Sequence, residues 1–455
     1  MAPFIVSSFG LFVMNLFAGL FTAPSWQTFT VLAWGWAVAS GERQTLTTYL
    51  WLTGATTIKH FSRFYAFLGA ALYRARWPLW ARIIRGAAQW VPAEAPIVLV
   101  VDDSTKKKAG RQIEGVGHYR NGAGSARQEY RTLRGLNFVW AIMRIPVPRW
   151  PGHRVSVPSG LSLYLKEEQA HELQQPYQSR SALARAIVDF VAAQLPARSI
   201  RVLGDGGYAT KECLQHFPAT VDVVARLLIT GKLSERPPQS RGPRRGCPPK
   251  KGPLLGSPKT LARQRSGWQP HPSEAGAVVQ AWQGLWHSVL PGRLIRVVVV
   301  RRPVTTRPCP PGQRKPPPPV EAFFTTDLTL SVEALLAQYR ERWAVEITIR
   351  DSHVFAGLGQ DQCRKRERVV GANTLRLVLA AARTLWFLEQ ACPADPLALQ
   401  RYRPWYRQKS ALSQLDIVWS WREALHTAGV FPISRFAPGL AEIHQEPENT
   451  LLLAA

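Results

Sequence analysis

The sequence predicts an α/β fold: a mixed sheet flanked by helices, with a β-containing insertion and helical regions at both ends. Three observations carry this. Two apolar runs, at 97–101 and 199–204, read as strands, the first as one buried on both faces, and each runs into aspartate: Asp102-Asp103-Ser104-Thr105 and Asp205-Gly206-Gly207-Tyr208. Helical periodicity appears at 181–195, with Leu183, Ile187, Phe190 and Val191 as its apolar positions. A third acidic landmark, Glu346, closes the helix-like stretch Tyr339-Arg340-Glu341-Arg342-Trp343-Ala344-Val345-Glu346.

In chain order, five regions are expected. Residues 1–90 are helical and Trp-rich; 45–61 is a candidate helix-turn-helix-like DNA-binding unit, with a helical cap on the core as the equal alternative. Residues 91–228 read as strand, strand, strand, helix, strand, helix, strand, with the strands at 97–102, 136–145, 154–165, up to 205, and 220–228. Residues 229–322 break the pattern. Their basic, Pro-rich stretches 236–253 and 302–319 exclude long strands or helices, while Leu294 to Val300 is a clear strand. Residues 323–392 hold a helix N-capped by Ser331 that runs to about Ala356 and stops at Gly357-Leu358-Gly359, then a second helix at 373–390. Residues 393–455 form a C-terminal region with one helix at 411–427.

Composition narrows the function classes. At 455 residues and 46% hydrophobic, the chain is folded and has more than one domain. A net charge of +27 and a pI near 10.6 point to a polyanionic partner. The five cysteines, Cys213, Cys247, Cys309, Cys363 and Cys392, are scattered without a Cys-x-x-Cys, so a disulfide framework or zinc site is not expected and a reducing cytoplasm fits. No charged residue precedes Glu42, and 4–21 is strongly apolar. Ser7, Ser8, Gly10, Asn15 and Gly19 interrupt that run, which reads as a buried helix rather than a membrane span.

The chemistry lies in the acidic landmarks. Two strand-end aspartates and one helical glutamate can supply carboxylate oxygens to divalent metal ions. Asp103 is preferred to Asp102, because strand alternation sends the two side chains to opposite faces. Read alone, Asp103 and Asp205 are ordinary turn residues; the combination with Glu346 points to a site. Along one continuous helix, Tyr339, Arg342, Glu346 and His353 would fall within about 60° of one another. Arg342 suits a DNA phosphate through its bidentate fork. Lys106-Lys107-Lys108, just after the first aspartate, is either a phosphate-binding run or a solvated turn. Arg241-Gly242-Pro243-Arg244-Arg245-Gly246 reads as a basic linker with a faint likeness to a minor-groove hook.

These residues resemble the DDE transposases of bacterial insertion sequences, in particular the group with the signature Tyr, two residues, Arg, three residues, Glu, six residues, Lys. Tyr339, Arg342 and Glu346 match it, and His353 stands at the Lys position. Asp103 in Asp-Ser-Thr and Asp205 in Gly-Asp-Gly-Gly-Tyr resemble the family's two aspartates, and the likeness covers roughly residues 95–390. The resemblance implies an RNase H-like core holding two Mg²⁺ ions, with Mn²⁺ as a substitute, on Asp103, Asp205 and Glu346. It also implies phosphate contacts from Tyr339, Arg342 and the His353 position, and a β-rich insertion before the glutamate. The partners implied are double-stranded DNA, as element ends and target, and a second copy of the chain in a synaptic dimer. The implied reactions are hydrolysis that frees a 3′-hydroxyl and attack of that hydroxyl on target DNA. Some relatives stabilise a flipped base with an insertion-domain Trp; Trp268, Trp282 and Trp286 occupy that region, where a core role for each is the stronger expectation. The alternatives are a domesticated or inactive DNA-binding protein on the same scaffold and, less in keeping with the sequence, a membrane-associated basic protein.

Overall fold

A computed structural model describes residues 2–120, 131–238, 247, 249–303, 319–402, 404–405, 407 and 411–430. The basic run 241–246, Cys309 and most of the second Pro-rich stretch lie outside the described residues. The strands, in chain order, are β1 Ile97–Lys107, β2 Gly117–Arg120, β3 Thr132–Pro146, β4 Arg154–Tyr164, β5 Ile200–Gly204, β6 Val221–Arg226, β7 Leu233–Ser234, β8 Leu254–Gly256, β9 Gln269–Pro270, β10 Val278–Leu285, β11 Leu294–Arg301 and β12 Val320–Thr325. The chain divides into two compact units, a sheet unit of Pro96–Asp102 and Gln178–Val345, and a helical unit of Met1–Ala95, Asp103–Tyr177 and Glu346–Ala455.

The sheet unit is a mixed sheet. The apolar start of β1 pairs in parallel with β5, and β5 with β6, in register from Ile97↔Ile200 to Val101↔Gly204 and from Ile200↔Val221 to Gly204↔Ala225. The sheet continues antiparallel through β12, β11 and β10, with β7 and β9 pairing β10 and β8 pairing β7. The Val-rich β11 sits between β10 and β12, which is why Val297 to Val300 are fully buried. The helix Val332–Glu341 packs on β5, β6 and β12 through Leu335 and Leu336. Its N-cap is Ser331, as its sequence predicts, with the hydroxyl accepting from the Ala334 amide at 3.1 Å. The helix Arg180–Gln194 buries Leu183, Ile187, Val188 and Val191, and is capped by Ser179. Parallel strands, antiparallel strands and flanking helices together make the predicted α/β class.

One prediction fails in this unit. The sequence predicts a single helix from 331 to about 356, but helix Val332–Glu341 ends before Arg342–Trp343, and a second helix, Ala344–Phe355, begins after them. At the break, the amides of Arg342, Trp343 and Val345 donate to the carbonyls of Tyr339, Arg340 and Arg342, a tight i to i−3 pattern in place of α bonding. The continuous four-residue stripe therefore does not exist as one helix face.

The helical unit is built on the helix Arg366–Trp386, buried along almost its whole length. It packs against β4, against the helix Tyr73–Ala88 and against the π turn Leu68–Leu72. Gly371 permits the last contact, since a Cβ there would lie 2.0 Å from the Leu68 carbonyl oxygen. β3 and β4 pair antiparallel with a bulge at Ala141/Ile142, and β2 extends the pair. The apolar N-terminal stretch forms the helices Ala2–Val6 and Ser8–Leu16, whose Phe4, Phe9 and Val13 are fully buried. The Phe9 ring meets Trp386 and Trp421 edge-on at 6.1 and 5.5 Å and lies 6.4 Å from Trp36. Among the described residues, no helix is long and apolar enough to cross a membrane. Arg383 is sealed between the Trp36 and Trp421 rings, 5.4 and 5.0 Å from their centroids, and burial lowers its pKa to about 9.

Candidate active site

The sheet unit contributes a cluster where two parallel strands part: β5 ends at Gly204, as predicted, whereas β1 runs on to Lys107 instead of ending at 102, so Asp102 and Asp103 lie within it. The β1–β5 register closes at Val101↔Gly204, so the next residues on these neighbouring strands are Asp102 and Asp205. Asp205 opens a tight turn in which its carboxylate accepts the Gly207 amide, and its carbonyl accepts the Tyr208 amide at 3.2 Å. Asp102 accepts a hydrogen bond from Arg342 Nη1 at 3.0 Å, with both side chains largely shielded from solvent. Tyr339 lies one turn before Arg342, its ring packed on Phe323 at 4.5 Å and 5.9 Å from the Arg342 guanidinium. Burial raises the Tyr339 pKa, the Arg342 and Arg226 charges oppose the rise, and the Asp205 carboxylate adds to it. In this unit, then, Tyr339 is packed on β12 and Arg342 is tied to β1, and Asp102 rather than Asp103 is the aspartate that meets Arg342.

The helical unit holds the other residues singled out in the sequence. Asp103 accepts from the Asn137 amide at 2.9 Å, and the same nitrogen lies 2.9 Å from Thr105 Oγ1. Asn137 is buried on β3, and beside it Trp140 donates its indole N–H to Ser104 at 3.0 Å. Residues 103 and 105 share a partner while Asp102 points to Arg342, as strand alternation requires. Asn137 is a residue the sequence reading missed. Its signal was a lone polar side chain inside the apolar run Leu136-Asn137-Phe138-Val139-Trp140. Glu346 occupies the first turn of the helix Ala344–Phe355, where the helix dipole favours a negative charge.

His353 sits at the end of that helix. Its Nδ1 lies 3.1 Å from the Leu358 carbonyl, which can only accept, so Nδ1 carries the proton. Burial, reinforced by the Lys106 charge, lowers its pKa to about 4, and the ring is neutral at physiological pH. It therefore cannot provide the fixed charge of a lysine. The three lysines after Asp103 are unlike one another. Lys106 lays its stem across Gly359, where a Cβ would lie 2.5 Å from its Cγ, and burial lowers its pKa. Lys108 binds Asp361 through the carbonyl at 2.6 Å and the carboxylate at 3.0 Å, with the carboxylate 1% exposed. Lys107 is exposed. Of the three insertion tryptophans, Trp286 is buried against Phe324, while Trp268 lies half-buried beneath Arg301 at 4.4 Å and edge-on to Trp282.

The donor set Asp103, Asp205 and Glu346 is all carboxylate oxygen, the chemistry that a hard divalent cation takes. Among the described residues, no three His, Cys, Asp or Glu side chains are gathered in a metal-holding group. The match to the metal is thus one of donor chemistry.

A family model described as DDE superfamily endonuclease matches residues 30–287, more than half of the chain. The matched span includes Asp102, Asp103 and Asp205 and ends before Glu346. No curated protein matches the chain.

Proposed function

Because the chain belongs to the DDE superfamily endonucleases, we propose that it is a DNA transposase of the bacterial insertion-sequence type that cuts at the ends of its element and joins the freed 3′-hydroxyls to target DNA. The observation that carries this is the family match across Asp103 and Asp205. The Tyr339, Arg342 and Glu346 spacing supports the narrower Tyr-Arg-Glu-Lys group. Divalent-metal dependence is general in the family; here Mg²⁺, or Mn²⁺ in its place, would be held as two ions by Asp103, Asp205 and Glu346, and would activate the attacking oxygen and stabilise the leaving one.

The chain's own residues have distinct tasks in this reading. Asn137 fixes the rotamer of Asp103, and the Gly206–Gly207 turn fixes Asp205. Arg342, oriented by Asp102 and Tyr339, offers its guanidinium to a backbone phosphate. Lys107, exposed at the end of β1, adds charge along the DNA, and two copies of the chain would hold the paired ends. His353, being neutral, orders the Leu358 turn instead of gripping phosphate.

The test is cleavage and strand transfer with duplex DNA that carries the sequences flanking the gene on either side, in Mg²⁺ or Mn²⁺. Nicked and joined products are expected from the wild type and none from Asp205→Ala. Wild-type cleavage by Asp205→Ala would overturn the assignment. A second reading, DNA binding without cleavage, draws on the neutral His353 at the Lys position; it predicts tight duplex binding and no products under any divalent metal.

A further inference from the structure

We propose that the turn joining the helices Leu46–Leu52 and Phe61–Phe67 is an apolar wedge that enters duplex DNA between base steps. This rests on the reading of the protein as DNA-acting and adds a contact surface made of other residues than the carboxylates. Three large apolar side chains crowd this short turn and face solvent: Trp51 is 63% exposed, Ile58 62% and Phe61 52%. The Phe61 ring lies 4.5 Å from His60 and edge-on to Tyr65 at 6.3 Å. Leu46, Tyr49 and Leu50 anchor the first helix and Phe64 and Phe67 the second, all buried. Thr45 and His60 cap the two helices, and Lys59 ties the turn to Thr28 at 2.7 Å while lying 5.1 Å from the Phe64 ring. The crest is thus rigid, apolar and outward.

Charge selects the occupant. Between Glu42 and Glu94 the chain carries no acidic residue but seven Arg and Lys. Around the crest, Thr56, Thr57, Ser62 and Arg63 are exposed, supplying polar groups and a cation. Apolar wedges ringed by polar groups and cations suit DNA, whose phosphates take the cations while the wedge unstacks a base step. A second copy of the same surface would meet it with like charge. A membrane-lying helix needs a long amphipathic face, whereas Trp51 lies near the end of one helix, Ile58 in the turn and Phe61 at the start of the next.

The experiment uses the full chain and a duplex with 2-aminopurine at successive positions. Binding is followed by anisotropy across a salt series and unstacking by 2-aminopurine fluorescence. The wild type should brighten the probe. The double variant Trp51→Ala with Phe61→Ala should abolish the brightening and bind about tenfold more weakly. Trp51→Phe should retain most of both. Arg63→Gln should lower the slope of log K against log salt by about one. Unchanged brightening and affinity in the double variant overturn the proposal. So does a variant that loses only self-association in sedimentation, or only uptake on phosphatidylserine vesicles. Cleavage of end-containing DNA by the wild type is scored separately: its absence refutes the transposase reading and leaves the wedge standing, whereas normal cleavage with an unaffected double variant does the reverse.

Discussion

His353 should make the protein lose stability on mild acidification. Its pKa in the folded chain is about 4, against an ordinary 6.5 when unfolded. Above pH 6.5 both states are neutral at this ring and its contribution is flat. As pH falls from 6.5 towards 4, the unfolded chain binds a proton that the folded chain refuses, so stability is lost across that window. Linkage gives a loss of about 2 kcal/mol between pH 7 and pH 5, and roughly 3 kcal/mol by the time the folded ring itself protonates. The assay is urea unfolding of the wild type and His353→Gln at pH 7 and pH 5, with ring-proton titration of His353 by NMR. Glutamine cannot titrate, so the variant should show a pH dependence smaller by about 2 kcal/mol. A His353 ring that titrates near 6.5, or equal pH dependence in the two proteins, would refute the account of a buried, neutral ring donating to Leu358. It would also return this residue to the group of phosphate ligands.

The other predictions concern its neighbours. Asn137→Ala should cost about 1–3 kcal/mol, by stripping a buried amide from Asp103 and Thr105; it should lower kcat more than it raises KM for end-containing DNA. Asp361→Ala strands the Lys108 ammonium in a shielded site and should lower unfolding stability by about 3–5 kcal/mol, read from the urea midpoint at constant slope. Lys107→Ala should reduce the salt slope of DNA binding by about one, whereas His353→Ala should leave that slope unchanged at pH 7.5. An equal effect of the two would contradict the placement of charge described above.

Much of the fold was legible because its signals are local. Continuous apolar runs mark β1 and β5, Ser331 marks a helix start, and Gly357 and Gly359, with φ of +73° and +69°, mark a helix end that other residues would strain to form. The candidate site residues were legible as acidic and basic types that follow apolar runs or lie on a helix. What was not legible depends on partners far along the chain. The helix break at Arg342 follows no helix-breaking residue, and Arg342 is paired with Asp102, 240 positions away. Lys108 reads as one of three equivalent lysines until Asp361 is placed against it, 253 positions on.

By itself, then, the sequence determined the α/β class, the apolar runs that lead into Asp102 and Asp205, the basic character and the likeness to DDE enzymes, since periodicity, caps and charge are properties of neighbouring residues. Only the tertiary structure decided which aspartate Arg342 meets, which buried amide holds Asp103, and that the imidazole at the lysine position is neutral. Those properties arise from desolvation and from contacts across long stretches of chain, which come into being when the chain folds.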